Sequence, residues 1–268
     1  MRFYRFPWRH ALATPAFLLL LLLAGPIHGG AEVPRVNVAN GGVSSLRWHG
    51  LEVAGDRAFA VDRVVLEKRD PDAEASWGYV YEQADVGNPT VDTNAGRVSH
   101  RYGWGRAEIS YGSGPDQLDI ELTLRNEGEH AIADFKVHLL DLAVGHNTPY
   151  RKGIAYLTLD RPVWYELPLE GGRVFITSET IHPPVTLGLG RASLKEGGAR
   201  AKGRMIHSLY VAGGVPADKG GTGVQPLLGV PHIDPGTAVT LRFALRFAPP
   251  ERPASQVLRP YRETFRAA

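Results

Sequence analysis

The amino-acid sequence predicts an all-β fold, built as a two-sheet antiparallel β-sandwich. The 31 glycines and 20 prolines are spread between short apolar segments, as expected for strands joined by turns. Segments 117–125 and 238–248 alternate apolar and polar residues, and a period of two buries one face of each strand. Helical periodicity is nearly absent. Antiparallel strands without intervening helices pack most readily as two sheets.

Further strands are predicted in order along the chain. Asn126 and Gly128 stand between segments 117–125 and 132–142 and predict a hairpin turn, since both residue types tolerate positive φ. A loop is expected at 213–223. The remaining candidate strands are 43–48, 59–68, 77–82, 97–104, 107–111, 132–142, 155–159, 173–177, 185–189 and 205–211.

The first 31 residues have the pattern of a secretory leader. Three arginines precede an apolar run of nine residues, Ala16 to Ala24, and small residues follow at 29–31. A membrane-spanning helix needs about 20 apolar residues, so cleavage after Ala31 is favoured over a retained anchor. The sequence therefore predicts export to the periplasm or the exterior, with no membrane association after cleavage.

The exported part is expected to be one domain over residues 32–250, followed by a basic tail over residues 251–268. Four apolar residues of the tail are candidates for packing back on the domain: Val257, Leu258, Tyr261 and Phe265. The chain has no cysteine, which removes disulfides, thiolate chemistry and cysteine-bound zinc.

Charge and motifs exclude several classes of function. The leader holds three of the 30 Lys and Arg residues and none of the 28 Asp and Glu residues, so the remainder has a net charge near −1. That balance gives no electrostatic reason to expect nucleic acid as a partner. The sequence has no nucleophile elbow, P-loop or zinc-protease motif, and His182, His207 and His232 lack metal-ligand spacing. Neither a metal nor a cofactor is expected, and the oligomeric state stays open.

Two ladders of aromatic residues are the first candidate ligand site. Each ladder shares one face of a predicted strand, and side by side the two would form a flat wall on which sugar rings stack. The alternative is that these rings fill the core, as large aromatic side chains commonly do. The residues are Trp77, Tyr79 and Tyr81 in the first ladder and His100, Tyr102 and Trp104 in the second.

His138 is the second candidate. In segment 132–142 the alternate residues Phe135, Val137 and Leu139 are expected to point inward, which places His138 on the polar face. There it is either a solvated surface histidine or a proton donor and sugar ligand. The polar loop downstream, with His146 and Arg151, is predicted to close over the same face.

Three short segments resemble the galactose mutarotase-like superfamily, which includes the aldose epimerases. Residues 40–52 are similar to its opening strand pair. His138-Leu139-Leu140-Asp141-Leu142 resembles the segment that carries the acid histidine of the epimerases, and residues 232–247 resemble the closing Pro-Gly turn and last strand. The resemblance implies a supersandwich-like fold, a sugar ligand and His138 as general acid.

One departure from this family concerns the base. Mutarotation requires a base as well as an acid. The epimerase glutamate corresponds to segment 223–228, where Gln225 stands and no carboxylate is present. Glu166 or Glu179 would have to replace it from another loop. The resemblance therefore implies a secreted carbohydrate-binding sandwich without full epimerase chemistry. The alternatives are a sugar-active enzyme, epimerase-like or lyase-like, with His138 as acid, and a structural envelope protein.

Overall fold

The computed structural model describes residues 31–69, 79–94, 96–144, 151–153, 164–180, 185–191, 204–213 and 232–267. These residues form sixteen strands and two short helices, and every strand pair is antiparallel. The strands are arranged in two large sheets and a small one. The predicted all-β sandwich class is confirmed.

The larger sheet has eight strands and contains the two most regular segments of the sequence. β9 and β16 pair directly, with Leu122 opposite Leu241. Along β9 the apolar residues are buried and most of the polar residues between them are exposed, as the period of two predicts. The strand order is β11 (Arg151–Gly153), β12 (Trp164–Leu169), β13 (Gly172–Ser178), β16 (Ala238–Ala248), β9 (Gln117–Asn126), β8 (Gly105–Gly114), β7 (Arg97–Tyr102) and β6 (Thr90–Asn94).

The second large sheet has five strands, with β10 at its centre. Its order is β14 (Thr186–Arg191), β15 (Met205–Ala212), β10 (Ala131–Val144), β4 (Ala60–Arg69) and β5 (Tyr79–Gln83). A three-stranded sheet precedes both, formed by β1 (Arg35–Ala39), β2 (Gly42–Trp48) and β3 (Leu51–Glu52).

One apolar cluster joins residues of all three sheets. It contains Leu46 of β2, Leu122 of β9 and Val137 of β10, each fully buried. The Tyr111 hydroxyl on β8 donates to the Leu139 carbonyl on β10 at 2.9 Å, which ties the two large sheets together. Burial of this apolar area is the main favourable contribution to folding.

The connection after β9 differs from the prediction. β9 and β10 belong to different sheets, so residues 127–130 carry the chain from one sheet to the other and do not close a hairpin. The predicted strand 155–159 and most of the predicted loop 213–223 lie outside the described residues. Five described strands were not predicted from the sequence, namely β1, β3, β6, β11 and β12.

The C-terminal residues form two short helices, α1 (Ala254–Val257) and α2 (Arg259–Ala267), which the sequence pattern did not predict. Val257, Leu258 and Tyr261 are buried against Phe175 of β13 and Ala248 of β16. Within the described part of the chain, no helix is long and apolar enough to cross a membrane.

Candidate functional site

A cleft of about 940 Å³ is lined by segments from both large sheets. One side is the end of β5 with the loop that follows it, and the other is the turn from β7 to β8. The sheet-to-sheet connection at residues 127–130 completes the lining. This volume falls within the range of small-molecule sites, about 300 to 1,000 Å³.

Two stacked rings form the aromatic part of the lining. Tyr102 and Trp104 lie nearly parallel, with ring centroids 5.1 Å apart and an interplanar angle of 11°. Tyr102 is half-buried, whereas Trp104 is only 4% exposed. The Tyr102 hydroxyl lies 3.2 Å from Nδ1 of His100. Burial raises the pKa of Tyr102 to about 12, so this hydroxyl is neutral at pH 7.

The turn that carries Trp104 depends on a glycine. Gly105 has a φ of +150°, and a Cβ at this position would lie 2.1 Å from the Arg125 carbonyl oxygen. The backbone N–H of Glu127 donates to the Trp104 carbonyl at 3.1 Å. The close approach of β8 to the end of β9 thus fixes the backbone that carries the Trp104 indole.

Asn126 fixes the connection that faces these rings. Its buried amide donates to the carbonyls of His130 and Ile233, both at 2.8 Å, and its Oδ1 accepts the N–H of Gly128 at 3.0 Å. A fully buried asparagine with three hydrogen bonds holds a short loop in one conformation. The cleft therefore has a preformed wall.

The charged side chains of the lining are mostly acidic. Glu82 is paired with Lys68, and Glu127 lies 3.4 Å from Arg106. The other two carboxylates have no ion-pair partner among the described residues. The lining set consists of Glu82, Asp85, Glu127, Glu129 and the single guanidinium Arg101. The lining of the cleft therefore carries more carboxylates than cations.

His138 does not lie on a solvated face, so its predicted placement is wrong. The residue is fully buried, and its Nε2 is 3.4 Å from Oδ1 of Asp141. Burial lowers the pKa of His138 to about 3, and the positive charges of Arg57 and Lys136 add to this effect. A buried, neutral imidazole has neither the access nor the proton that a general acid needs.

The reason is that β10 is irregular and covered on both faces. Its pairing with β4 shifts register between Lys136 and Val137, directly before His138, and its pairing with β15 shifts register between His138 and Leu140. Bulges of this kind disturb the alternation of faces along a strand. Residues 53–55 lie beside the later part of β10 in the plane of the sheet, where Gly55 N–H donates to the Asp141 carbonyl at 2.9 Å. All residues from Val137 to Val144 are buried, whichever face they occupy. Simple alternation therefore fails along this strand.

The two glutamates considered as the base also form ion pairs with arginines. Glu179 binds Arg246 at 2.7 Å, and Glu166 binds Arg173 at 2.9 Å. Both lie in or next to strands of the eight-stranded sheet, whereas His138 belongs to the five-stranded sheet. Each carboxylate is paired with an arginine of its own sheet, so the acid and base pair expected from the resemblance is not assembled.

The prediction that two neighbouring aromatic ladders form one flat wall is likewise wrong. Tyr79 and Tyr81 are exposed on β5 of the five-stranded sheet, whereas His100 and Tyr102 lie on β7 of the eight-stranded sheet. Among the described residues of the two ladders, Tyr102 and Trp104 line the cleft, whereas Tyr79, Tyr81 and His100 do not.

The side chains of three other candidate ligand-binding residues are not described. Trp77 and His146 lie outside the described residues, and Arg151 is described only as part of the backbone of β11. Within the described ranges, no group of three or more acidic or histidine side chains is arranged to hold a metal ion.

Sequence reasoning missed the loop residues of the cleft, above all Asp85 and Glu129. Loops have no periodicity, so pattern analysis assigns them no face. The available signal was the dense polar run at residues 127–130 directly after a regular strand.

Two of the solved structures that are similar to this chain are a polysaccharide lyase and a galactose mutarotase-related enzyme. A polysaccharide lyase matches with a TM-score of 0.45 and 12% identity over 88% of this chain, which spans 35% of the length of that lyase. A galactose mutarotase-related enzyme from Lactobacillus acidophilus matches with a TM-score of 0.48 and 10% identity over 84% of this chain and 98% of that one. No protein-family model matches the chain, and no curated protein matches it significantly.

Proposed function

We propose that the protein is an exported carbohydrate-binding β-sandwich and that the cleft is its binding site. The observation that carries the proposal is the stacked pair Tyr102 and Trp104 at the wall of a preformed cleft whose other walls are polar. Sugar rings bind where an aromatic face meets their C–H groups and nearby oxygen or nitrogen atoms meet their hydroxyls.

Tyr102 is the ring we assign to direct contact. It is half-buried, so part of its surface remains accessible, and Trp104 supports it from within. The carboxylates of Asp85 and Glu129 and the guanidinium of Arg101 supply acceptors and donors for hydroxyl groups.

The charge of the lining favours a neutral or amino sugar as ligand. Four carboxylates face one guanidinium, and two of the four have no cationic partner among the described residues. A chain of uronic acids would bring like charges together, which disfavours binding. The preferred ligand class is therefore a glycan without carboxylate groups.

Binding to a panel of neutral oligosaccharides, measured by titration calorimetry, tests the proposal. Tyr102→Ala is expected to weaken binding by about 1 to 3 kcal/mol, which corresponds to roughly 5- to 150-fold. Tyr102→Phe keeps the ring and is expected to retain most of the affinity.

Tyr79→Ala is the matched control, because Tyr79 is an exposed tyrosine on β5 that does not line the cleft. Its affinity is expected to equal that of the wild type. Equal losses in both variants, or no loss in Tyr102→Ala with an unchanged melting temperature, would refute the proposal.

A sugar-active enzyme is the second candidate, favoured by the presence of the acidic groups Asp85 and Glu129 in the same cleft. Proton transfer at a sugar requires two positioned groups, and carboxyl groups serve both roles. Polarimetry on aldoses separates the two functions, because a binding protein leaves the mutarotation rate at its value in buffer.

A further inference from the structure

The segment directly after the predicted leader is held by a carboxylate. The backbone N–H of Glu32 donates to Oδ1 of Asp116 at 3.0 Å, and the N–H of Asp116 donates to the Glu32 carbonyl at 2.8 Å. The Glu32 carboxylate accepts the N–H of His49 at 2.9 Å. Residue 32 is therefore tied to two turns of the folded domain.

The Asp116 side chain in this contact is buried and held in place by other residues. Asp116 lies in the turn between β8 and β9 with a φ of +52° and is nine-tenths buried. Its Oδ2 accepts from Arg252 at 3.0 Å, and its Oδ1 lies 3.5 Å from Nε1 of Trp48. Its carbonyl accepts the N–H of Phe247 at 2.8 Å. The side chains of Arg252 and Trp48 thus hold the carboxylate of Asp116, and Phe247 holds its backbone.

We infer that Asp116 receives the α-amino group that is created when the leader is removed between Ala31 and Glu32. Hydrolysis adds water across that peptide bond, so Ala31 gains a carboxylate and the nitrogen of Glu32 becomes an ammonium group. The same nitrogen already faces Oδ1 of Asp116. An ammonium donor makes a stronger hydrogen bond to a carboxylate than an amide does.

This inference is independent of the glycan proposal and rests on the predicted leader. It makes processing a stabilising step, because the exported domain gains an ion pair that the precursor lacks. The other charged groups around the new ammonium are the Glu32 carboxylate, His49 and Arg252.

The first experiment identifies the processed end. The full chain is expressed with its leader in a secreting bacterium, and the exported protein is sequenced from its N-terminus. Glu32 is expected as the first residue, and a different first residue would overturn the inference.

The second experiment compares protein that begins at Glu32 with protein that carries a Gly-Ser extension before it. The shorter form is expected to melt about 2 to 4 °C higher at pH 7. Asp116→Asn should abolish this difference, whereas Asp119→Asn, an exposed aspartate on β9, should leave it intact. Equal melting temperatures of the two forms, or a difference that persists in Asp116→Asn, would overturn the inference.

The pH dependence of the same pair needs no substitution. An α-amino group has an ordinary pKa of about 7.7 to 8.0, and a carboxylate partner holds the folded value higher. The stabilisation is therefore complete below the ordinary value and is lost as the pH rises through the folded value. The difference in melting temperature is expected to shrink between pH 7 and pH 10; a constant difference would contradict the inference.

Discussion

Two groups of polar residues in this sandwich have opposite surroundings. The β10 polar cluster, consisting of Asp134, His138, Asp141 and Ser208, is buried, with three of its members at most 1% exposed. In the cleft, by contrast, the carboxylates and Tyr102 line an open cavity. Within the cluster, Ser208 donates to Oδ1 of Asp141 at 2.7 Å, and Nε2 of His138 lies 3.4 Å from the same oxygen. A histidine next to a carboxylate in a β-sandwich therefore need not form a functional site. Whether polar side chains can bind a ligand depends on whether a ligand can reach them.

The comparison predicts that the two groups respond differently to mutation. Changes in the β10 polar cluster should reduce stability and leave glycan affinity unchanged. Changes in the cleft should do the reverse. The following variants test this division, beginning with the largest expected effect.

Asp134→Asn is expected to lower the free energy of unfolding by about 3 kcal/mol. Asp134 is fully buried and lies 2.6 Å from Nη2 of Arg63, which is itself 26% exposed. Breaking a buried pair leaves a charge without compensation, and the partial exposure of Arg63 places the effect at the lower end of the usual range. Urea denaturation measures the change.

Glu121→Gln is the control for this prediction, since Glu121 forms an exposed pair with Arg242 at 2.9 Å. Its effect is expected to stay below about 1 kcal/mol. If the two variants were equally stable, the buried pair of Asp134 and Arg63 would contribute no more to stability than the exposed pair of Glu121 and Arg242.

The buried position of His138 predicts that the free energy of unfolding falls as the pH is lowered. Its folded pKa of about 3 lies below the ordinary value of about 6.5, so the unfolded chain binds the proton more tightly. The stabilisation is complete above pH 6.5 and is lost as the pH falls toward 3. Between pH 6.5 and 5 the wild type should lose about 1.5 kcal/mol more than His138→Gln does.

Urea denaturation of the wild type and of His138→Gln across this pH range makes the measurement. A stability that rises on acidification would contradict the account, because it would show a protonated His138 held by the nearby Asp141 carboxylate.

The smallest expected effect concerns ligand charge. The double variant Asp85→Asn and Glu129→Gln should improve binding of a uronate-containing oligosaccharide by about 0.2 to 1 kcal/mol per charge removed. Competition binding against a neutral oligosaccharide measures it. The same gain in Asp119→Asn, outside the cleft, would mean that only the net charge of the protein matters.

The fold was predictable wherever a strand has one face in the core and one in water. β16 begins and ends at the predicted residues, 238 and 248, and β9 extends the predicted segment by one residue. Hydrophobic alternation reports burial on one face. β9 satisfies that condition over most of its length, whereas β16 satisfies it only as far as Phe243, and from there to Ala248 both faces are buried, Arg246 included.

The prediction failed where that condition does not hold. β10 contains register shifts and is covered on both faces, so alternation assigned His138 to the wrong environment. The connection 127–130 was assigned to a hairpin because a local sequence does not report which sheet the next strand joins.

The candidate site was half predictable. Tyr102 and Trp104 were identified because aromatic residues at alternate positions are visible in a sequence. Asp85 and Glu129 were not, since loops from different sheets meet only after the sandwich has formed. Long-range assembly of this kind leaves no local pattern.

The most direct test of the central claim is an NMR titration of the labelled protein with neutral oligosaccharides. The binding proposal predicts that amide shifts concentrate at Asp85, Gly87 and Asn88 and at residues 101–104 and 127–130, which line the cleft. It also predicts that the amides of His138 and Asp141 remain unchanged. Shifts centred on His138 and Asp141, with none at the cleft, would contradict it.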